Sequence, residues 1–147
     1  MIDIRAKTAT DREAIAVGRV HMTPEAIGAL AEGALPKGDA LAAARIAGIM
    51  AAKRTPELIP LCHPIPLSFL EVEFRLCTEA GEVEIRAVAR AHAPTGVEME
   101  ALTAVAVAAL TIHDMCKALD PGAEIRQIHL VRKSGGKTGL WEREVGS

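Results

Sequence analysis

Asp114 and Lys117 stand one helical turn apart near the end of a long apolar stretch, and this pair is the first chemistry the chain offers. Residues 95–117 contain no proline and no glycine after Gly96, so they predict a helix of about six turns. On a helical wheel Glu100, Thr103, Thr111, Asp114 and Lys117 share about a third of the circumference, and nearly every other position is apolar. A helix so nearly apolar all round leaves little face for water. A carboxylate and an ammonium at i and i+3 then serve each other or a ligand, because an unpaired buried charge costs several kcal/mol. As a solvated pair they would contribute only ~0–1 kcal/mol, and spacing alone leaves both readings open. Glu100 lies fourteen residues before Asp114, roughly 21 Å along a helix axis. One small substrate does not span that distance, so either the two are separate features or a neighbouring subunit brings one helix start to another helix end.

A second candidate is His63, set in Ile59-Pro60-Leu61-Cys62-His63-Pro64-Ile65-Pro66. Three prolines fix three φ angles and push the preceding residues toward extended backbone, so this segment predicts a stiff irregular loop. A histidine held there is suited to general acid or base work near neutral pH, or is simply a satisfied structural histidine. Lys37 precedes a predicted helix start, where backbone N–H groups favour anions; it reads either as a phosphate contact or as an exposed loop lysine. Lys133-Ser134-Gly135-Gly136-Lys137-Thr138-Gly139 resembles the end of a phosphate-binding loop. The full motif needs glycine where Val131 stands and a helix where only eight residues remain, so nucleotide hydrolysis is excluded. A basic glycine-rich loop able to gather phosphate oxygens survives, beside the plainer reading of a loose tail. Cys62, Cys77 and Cys116 are odd in number and lack Cys-x-x-Cys spacing, which predicts reduced thiols and no metal site.

The elements that must position these residues follow in order. Ile2 and Ile4 begin a short strand or extended arm, with Lys7, Asp11 and Arg12 as surface charges. A strand is predicted at 14–22, then a helix opened by Thr23-Pro24-Glu25 and closed by Gly33. Asp39 caps a helix over 40–53 with Leu41, Ile46, Ile49 and Met50 as core candidates. Strands at 67–77 and 82–91 form a hairpin with one wet face, the long helix follows, and a last strand runs over 124–133. That order predicts an α+β fold of ferredoxin-like type, an antiparallel sheet with helices packed on one face. Apolar residues on the other face would call for cover by subunits.

Composition bounds the function. At 147 residues the chain predicts a single domain, with a short N-terminal arm over about 1–12 and a glycine-rich loop at 133–139. Half the residues are hydrophobic but only two Phe and one Trp are aromatic, so small aliphatic side chains build the core and let backbones approach. A formal charge of −2 and a pI near 6.2 give no footprint for nucleic acid. The most apolar run is shorter than a membrane span and no signal peptide is evident, so a cytoplasmic protein is expected.

Several motifs together carry a resemblance. Lys37-Gly38-Asp39, Ala44-Arg45-Ile46-Ala47-Gly48-Ile49, Ile59-Pro60-Leu61-Cys62-His63-Pro64, residues 95–102 (TGVEMEAL), Asp114-Met115-Cys116-Lys117-Ala118 and Lys133-Ser134-Gly135-Gly136-Lys137 closely resemble the molybdenum cofactor biosynthesis protein C family, cyclic pyranopterin monophosphate synthase. The likeness runs from Asp3 to Gly139 in the family's order. It implies conversion of 3′,8-cyclo-7,8-dihydro-GTP into cyclic pyranopterin monophosphate with loss of pyrophosphate. It also implies a homohexamer, a trimer of dimers, with sites at subunit interfaces. By motif position it implies Asp114 as catalytic acid or base, Leu61-Cys62-His63 and Met99-Glu100 as substrate contacts, and Lys117 and Lys37 as important basic residues. Arg12, Glu98, Lys133 and Lys137 carry over as further substrate-binding residues. No cofactor is implied beyond a magnesium ion that could accompany pyrophosphate. The competing reading from another class is a non-catalytic oligomeric module that merely binds a nucleotide through the same basic loops.

Overall fold

The computed structural model describes residues 1–145. Its sheet contains β1 (Thr10–His21), β2 (Phe69–Cys77), β3 (Glu82–Ala93), β4 (Glu124–Ser134) and β5 (Trp141–Glu142), in the spatial order β2-β3-β1-β4-β5 with every neighbouring pair antiparallel. The helices are α1 (Pro24–Glu32), α2 (Ala40–Lys53), the single turn α3 (Thr55–Leu58) and α4 (Glu98–Cys116). α4 packs across β1, β3 and β4, and α2 packs on α4 and β2. This is the expected α+β, ferredoxin-like arrangement, with helices on one face of the sheet.

Local signals fixed the helix starts as expected. Thr23 Oγ1 accepts the Ala26 N–H at 3.3 Å and Asp39 Oδ1 accepts the Ala42 N–H at 3.0 Å, so both predicted caps satisfy orphan donors of the first turn. Gly33 closes α1 in the left-handed conformation, φ 68°. The central strand is less regular than its sequence suggests. Register shifts against β4 fall between Ile15 and Ala16 and between Val17 and Arg19, and the extra residues lie in β4, where Gln127 has φ 56°; Ile15 and Ala16 are both buried although they are consecutive, one on each face of the sheet. Ile2 and Ile4 lie in no strand; the chain begins as an arm and β1 starts only at Thr10.

Two expectations about the helices are corrected. Ile46 and Met50 were core candidates on α2, yet they are 57% and 50% exposed, and the helix buries Ala40, Ala44, Gly48, Ala51 and Ala52 instead. The reason is a close helix crossing: a Cβ on Gly48 would sit 2.8 Å from the Ala104 carbonyl oxygen and 3.4 Å from Ala108 Cβ. Small residues must face inward there, and the larger ones turn outward. Leu41 and Ile49 do pack against the core. Nor is α4 buried all round, since Leu110 is 57% exposed and the Asp114 and Lys117 side chains are about half exposed. By length and composition α4 could cross a membrane, but its inner face packs on sheet and α2.

On the open face of the sheet, where apolar residues were expected to call for cover by subunits, charged side chains pair across the strands. Arg19 bridges Glu82 and Glu84 at 3.0 and 3.3 Å, and Arg90 Nε donates to Glu13 at 2.6 Å while its guanidinium lies 4.6 Å from the Phe69 ring centre. On the same face the cross-strand pair Ile15 and Val88 is buried within one chain. Finally, the glycine-rich segment is a hairpin connection. Arg132 pairs with Glu142 and Lys133 with Trp141, which returns the chain as β5.

Candidate active site

Two groups of predicted residues gather at opposite ends of α4. At its C-terminal end the turn Leu35-Pro36-Lys37-Gly38, closed by the Gly38 N–H to Leu35 carbonyl bond at 3.0 Å, delivers Lys37. Lys37 Nζ donates to Asp114 Oδ2 at 2.6 Å, and Lys117 Nζ lies 2.7 Å from Asp114 Oδ1. The carboxylate is therefore clasped by an ammonium on each oxygen. Lys117 first and Lys37 second stabilise its charged form and bring its pKa down to about 2. The expected pairing of Asp114 with Lys117 is present. Its cause differs from expectation, because the cluster is half exposed and the shift comes from the lysines rather than from burial.

At the other end, Leu61, Cys62 and His63 face Glu98 and Met99 across a cleft of about 300 Å³ completed by Ile59, Thr95 and Gly96. The proline-rich loop is irregular, as its sequence predicts. The Glu98 carboxylate folds back into the space where a Cβ on Gly96 would lie, over the loop before α4. Cys62 is partly buried, and burial pushes its thiol upward, with the charges of Glu100 and Glu98 adding to the effect. That thiol is a packing and contact group rather than an activated nucleophile.

Arg12 ties this corner to the glycine-rich loop. Its Nε and Nη2 donate to the Ala93 and Pro94 carbonyls at 3.3 and 3.2 Å, just before Thr95. A Cβ on Gly136 would collide with the same guanidinium, and one on Gly135 with the Asp11 carbonyl. The paired glycines thus admit an arginine, a function that phosphate-loop reasoning did not anticipate. Lys133, next to last in β4, pairs with Ala14, and Lys137 is exposed in the turn closed by the Gly139 N–H to Gly136 carbonyl bond at 3.2 Å.

Glu100 belongs to neither group. It is 2% exposed, and both carboxylate oxygens are buried with no hydrogen-bond partner among the described residues. It lines a separate cleft of about 290 Å³ with Lys53, Pro64, Ile65 and Pro66, behind the loop that carries His63. Desolvation pushes its carboxyl above the usual range, and the neighbouring charge of Glu98 pushes the same way. A buried carboxylate with no donor is costly, so this one is poised either to hold a proton or to accept hydrogen bonds from something outside the chain.

Of the predicted residues, then, Lys37, Asp114 and Lys117 come together; Leu61, Cys62, His63, Glu98 and Met99 come together; Arg12 meets the glycine loop that bears Lys137. Ile59, Thr95 and Gly96, and the Ala93 and Pro94 carbonyls that hold Arg12, were missed as site components. Backbone groups and apolar linings carry no residue-type signal.

Comparison with known proteins adds to this geometry. A model of the MoaC family matches residues 1–136. A protein of Roseiflexus castenholzii named cyclic pyranopterin monophosphate synthase is 60% identical over 139 residues, covering 95% of this chain and 88% of that protein. Proteins of the same name from Thermoanaerobacter pseudethanolicus and Chloroflexus aurantiacus are 53% and 56% identical, covering 99% and 97% of this chain and 92% and 88% of theirs.

Proposed function

The chain belongs to the MoaC family, and from that premise we propose that it is a cyclic pyranopterin monophosphate synthase of molybdenum cofactor biosynthesis, a phosphorus–oxygen lyase. It converts 3′,8-cyclo-7,8-dihydro-GTP into cyclic pyranopterin monophosphate and pyrophosphate. The observation that carries this reading is the Asp114 carboxylate clasped between Lys37 and Lys117.

The chemistry needs proton transfers, to rebuild a reduced purine as a pterin, and charge stabilisation, to expel pyrophosphate as a ribose oxygen closes on the α-phosphorus. As it stands, Asp114 is ionised throughout the neutral range and is a weak base. A triphosphate competes for Lys37 and Lys117, and as the lysines turn to it the carboxylate loses the partners that hold its proton affinity down. Substrate binding therefore activates the base. Lys37, Lys117, Arg12, Lys133 and Lys137 supply positive charge for the phosphates. His63 serves as a second proton-transfer group, with Leu61, Cys62, Glu98 and Met99 around the ring system; Glu100, buried in its own cleft behind this loop, is taken as a further substrate contact from its place in the Met99-Glu100 motif. No redox cofactor is called for; magnesium could accompany the pyrophosphate.

The reading further takes the protein as a cytoplasmic homohexamer, a trimer of dimers, with each site shared between subunits. Two features support sharing. Met99 and Asp114 are fifteen residues apart on one helix, ~22 Å at 1.5 Å per residue, too far for one substrate within one chain. Ile46, Met50 and Leu110 on α2 and α4 are exposed apolar side chains of the helical layer that association would bury. Incubation with the enzymatically made cyclised GTP intermediate, following pyrophosphate and pterin together, tests the function. Binding without product would favour the non-catalytic nucleotide-binding module.

A further inference from the structure

The N-terminal arm reaches the candidate site through its backbone. The Ile2 carbonyl oxygen lies 2.6 Å from His63 Nε2. A carbonyl has no proton to give, so Nε2 carries the hydrogen and donates it. In the neutral ring the lone pair then sits on Nδ1.

The arm is not held there by burying side chains, since Met1 and Ile2 are 68% and 75% exposed. It is braced locally instead. Asp3 Oδ1 accepts the Arg5 backbone N–H at 3.0 Å, the Arg5 side chain donates to Asp3 Oδ2 from Nε at 2.9 Å and from Nη2 at 2.7 Å, and the Lys7 N–H donates to the Ile4 carbonyl at 3.1 Å. On the other side, Pro60, Pro64 and Pro66 stiffen the loop that bears the ring. A self-braced turn and a proline-stiffened loop thus meet at one ring nitrogen. Two charged groups share this corner, Asp3 from the arm and Glu98 from the start of α4. Each has its own arrangement, Asp3 on Arg5 and Glu98 over Gly96, and neither replaces the carbonyl as the bonded partner of Nε2.

We propose that the Ile2 backbone carbonyl is a positioning group for His63, fixing the ring in its Nε2–H tautomer and in orientation so that Nδ1 is the nitrogen available for proton transfer. The proposal rests on the reading of His63 as a proton-transfer residue. A fixed tautomer matters because an imidazole that must rotate or exchange protons before each turnover loses effective orientation at the reacting atoms.

The test is NMR of full-length protein with ¹⁵N-labelled histidine at about pH 8, where an unperturbed imidazole is neutral, with His63 assigned by its disappearance in His63→Gln. The expected result is a ring proton on Nε2 protected from exchange with water and an Nδ1 resonance of an unprotonated nitrogen. Asp3→Asn, which keeps the carbonyl, retains that proton signal. A chain lacking residues 2–6 loses it, and kcat falls at least ~10-fold while KM stays within ~2-fold, the pattern of a lost orienting contact. An Nδ1–H tautomer in the full chain, loss of the signal in Asp3→Asn, or survival of the protected proton after truncation overturns the proposal. If the shortened chain does not fold, the full-length tautomer and Asp3→Asn decide the matter. Unchanged turnover of His63→Gln would remove His63 from catalysis, a failure of the underlying reading that the ring-proton signal distinguishes from failure of the contact.

Discussion

Lys37 and Asp114, 77 residues apart in sequence, are joined by a 2.6 Å hydrogen bond between Nζ and Oδ2. This contact places the turn before α2 against the last turn of α4, and Lys117, the residue that caps that helix, closes the clasp. Because all three side chains are about half exposed, the cluster contributes little to stability and its removal should spare the fold. Asp114→Asn and Lys117→Ala are each expected to lower turnover at least ~100-fold while circular dichroism and oligomeric state stay unchanged. Near-normal turnover in both would remove the cluster from the mechanism.

The pH behaviour of Asp114 follows from the same clasp. Its carboxyl is lowered from 3.8 to about 2, so the clasped state is favoured above the ordinary value and that advantage disappears as pH falls through about 2. Between about pH 5 and 8 the free enzyme therefore has no Asp114 titration. The profile of kcat/KM is expected to lack a limb abolished by Asp114→Asn in that window, and a limb that vanishes in the variant would contradict the geometry.

Glu100 shows the opposite sign. A carboxyl raised by burial binds its proton more tightly folded than unfolded, so stability falls as pH rises above the ordinary carboxylate range of 4.5 toward the raised value. Glu100→Gln is expected to raise Tm at neutral pH by at least ~2 °C, with the gain vanishing near pH 4, while weakening substrate binding. Destabilisation instead would mean that the carboxylate has a donor from another subunit.

Gly136 has φ 75°, and a Cβ there would meet the Arg12 guanidinium. Gly136→Ala is expected to cost ~1–2 kcal/mol for the left-handed conformation and to displace Arg12. Its kinetic effect should match that of Arg12→Ala, chiefly a raised KM, and the double variant should add little to either. Full additivity in a double-mutant cycle would show that the glycine and the arginine act independently.

Sharing of the site between subunits makes a complementation experiment decisive. Mixed oligomers of Glu100→Gln and Asp114→Asn chains are expected to regain activity, because some sites then take an intact residue from each partner. With subunit exchange verified by mass, no recovery would place both residues in one chain's site.

Much of this molecule was legible before its structure. The caps at Thr23 and Asp39, the hairpin of β2 and β3 and the length of α4 are local matters, written in short-range spacing. The pairing of Asp114 with Lys117 is equally local, one turn apart on a helix. What escaped was tertiary. Ile46 and Met50 look like core residues until Gly48 is seen to meet Ala104, a contact between two helices that makes small residues the inward ones. Gly135 and Gly136 resemble a phosphate loop, but Arg12 fills the space they leave. β5 is two residues long, too short to show alternation. The Ile2 carbonyl is backbone and has no signature at all.

The position of β1 has a consequence for the order in which the molecule can be made. The first strand synthesised lies at the centre of the sheet, with β3 on one side and β4 on the other. A nascent chain that has emerged only through α4 leaves one whole edge of β1, from Glu13 to His21, without backbone partners. Closure of the sheet waits for Glu124–Ser134, and that edge stays open to mispairing until this strand has emerged.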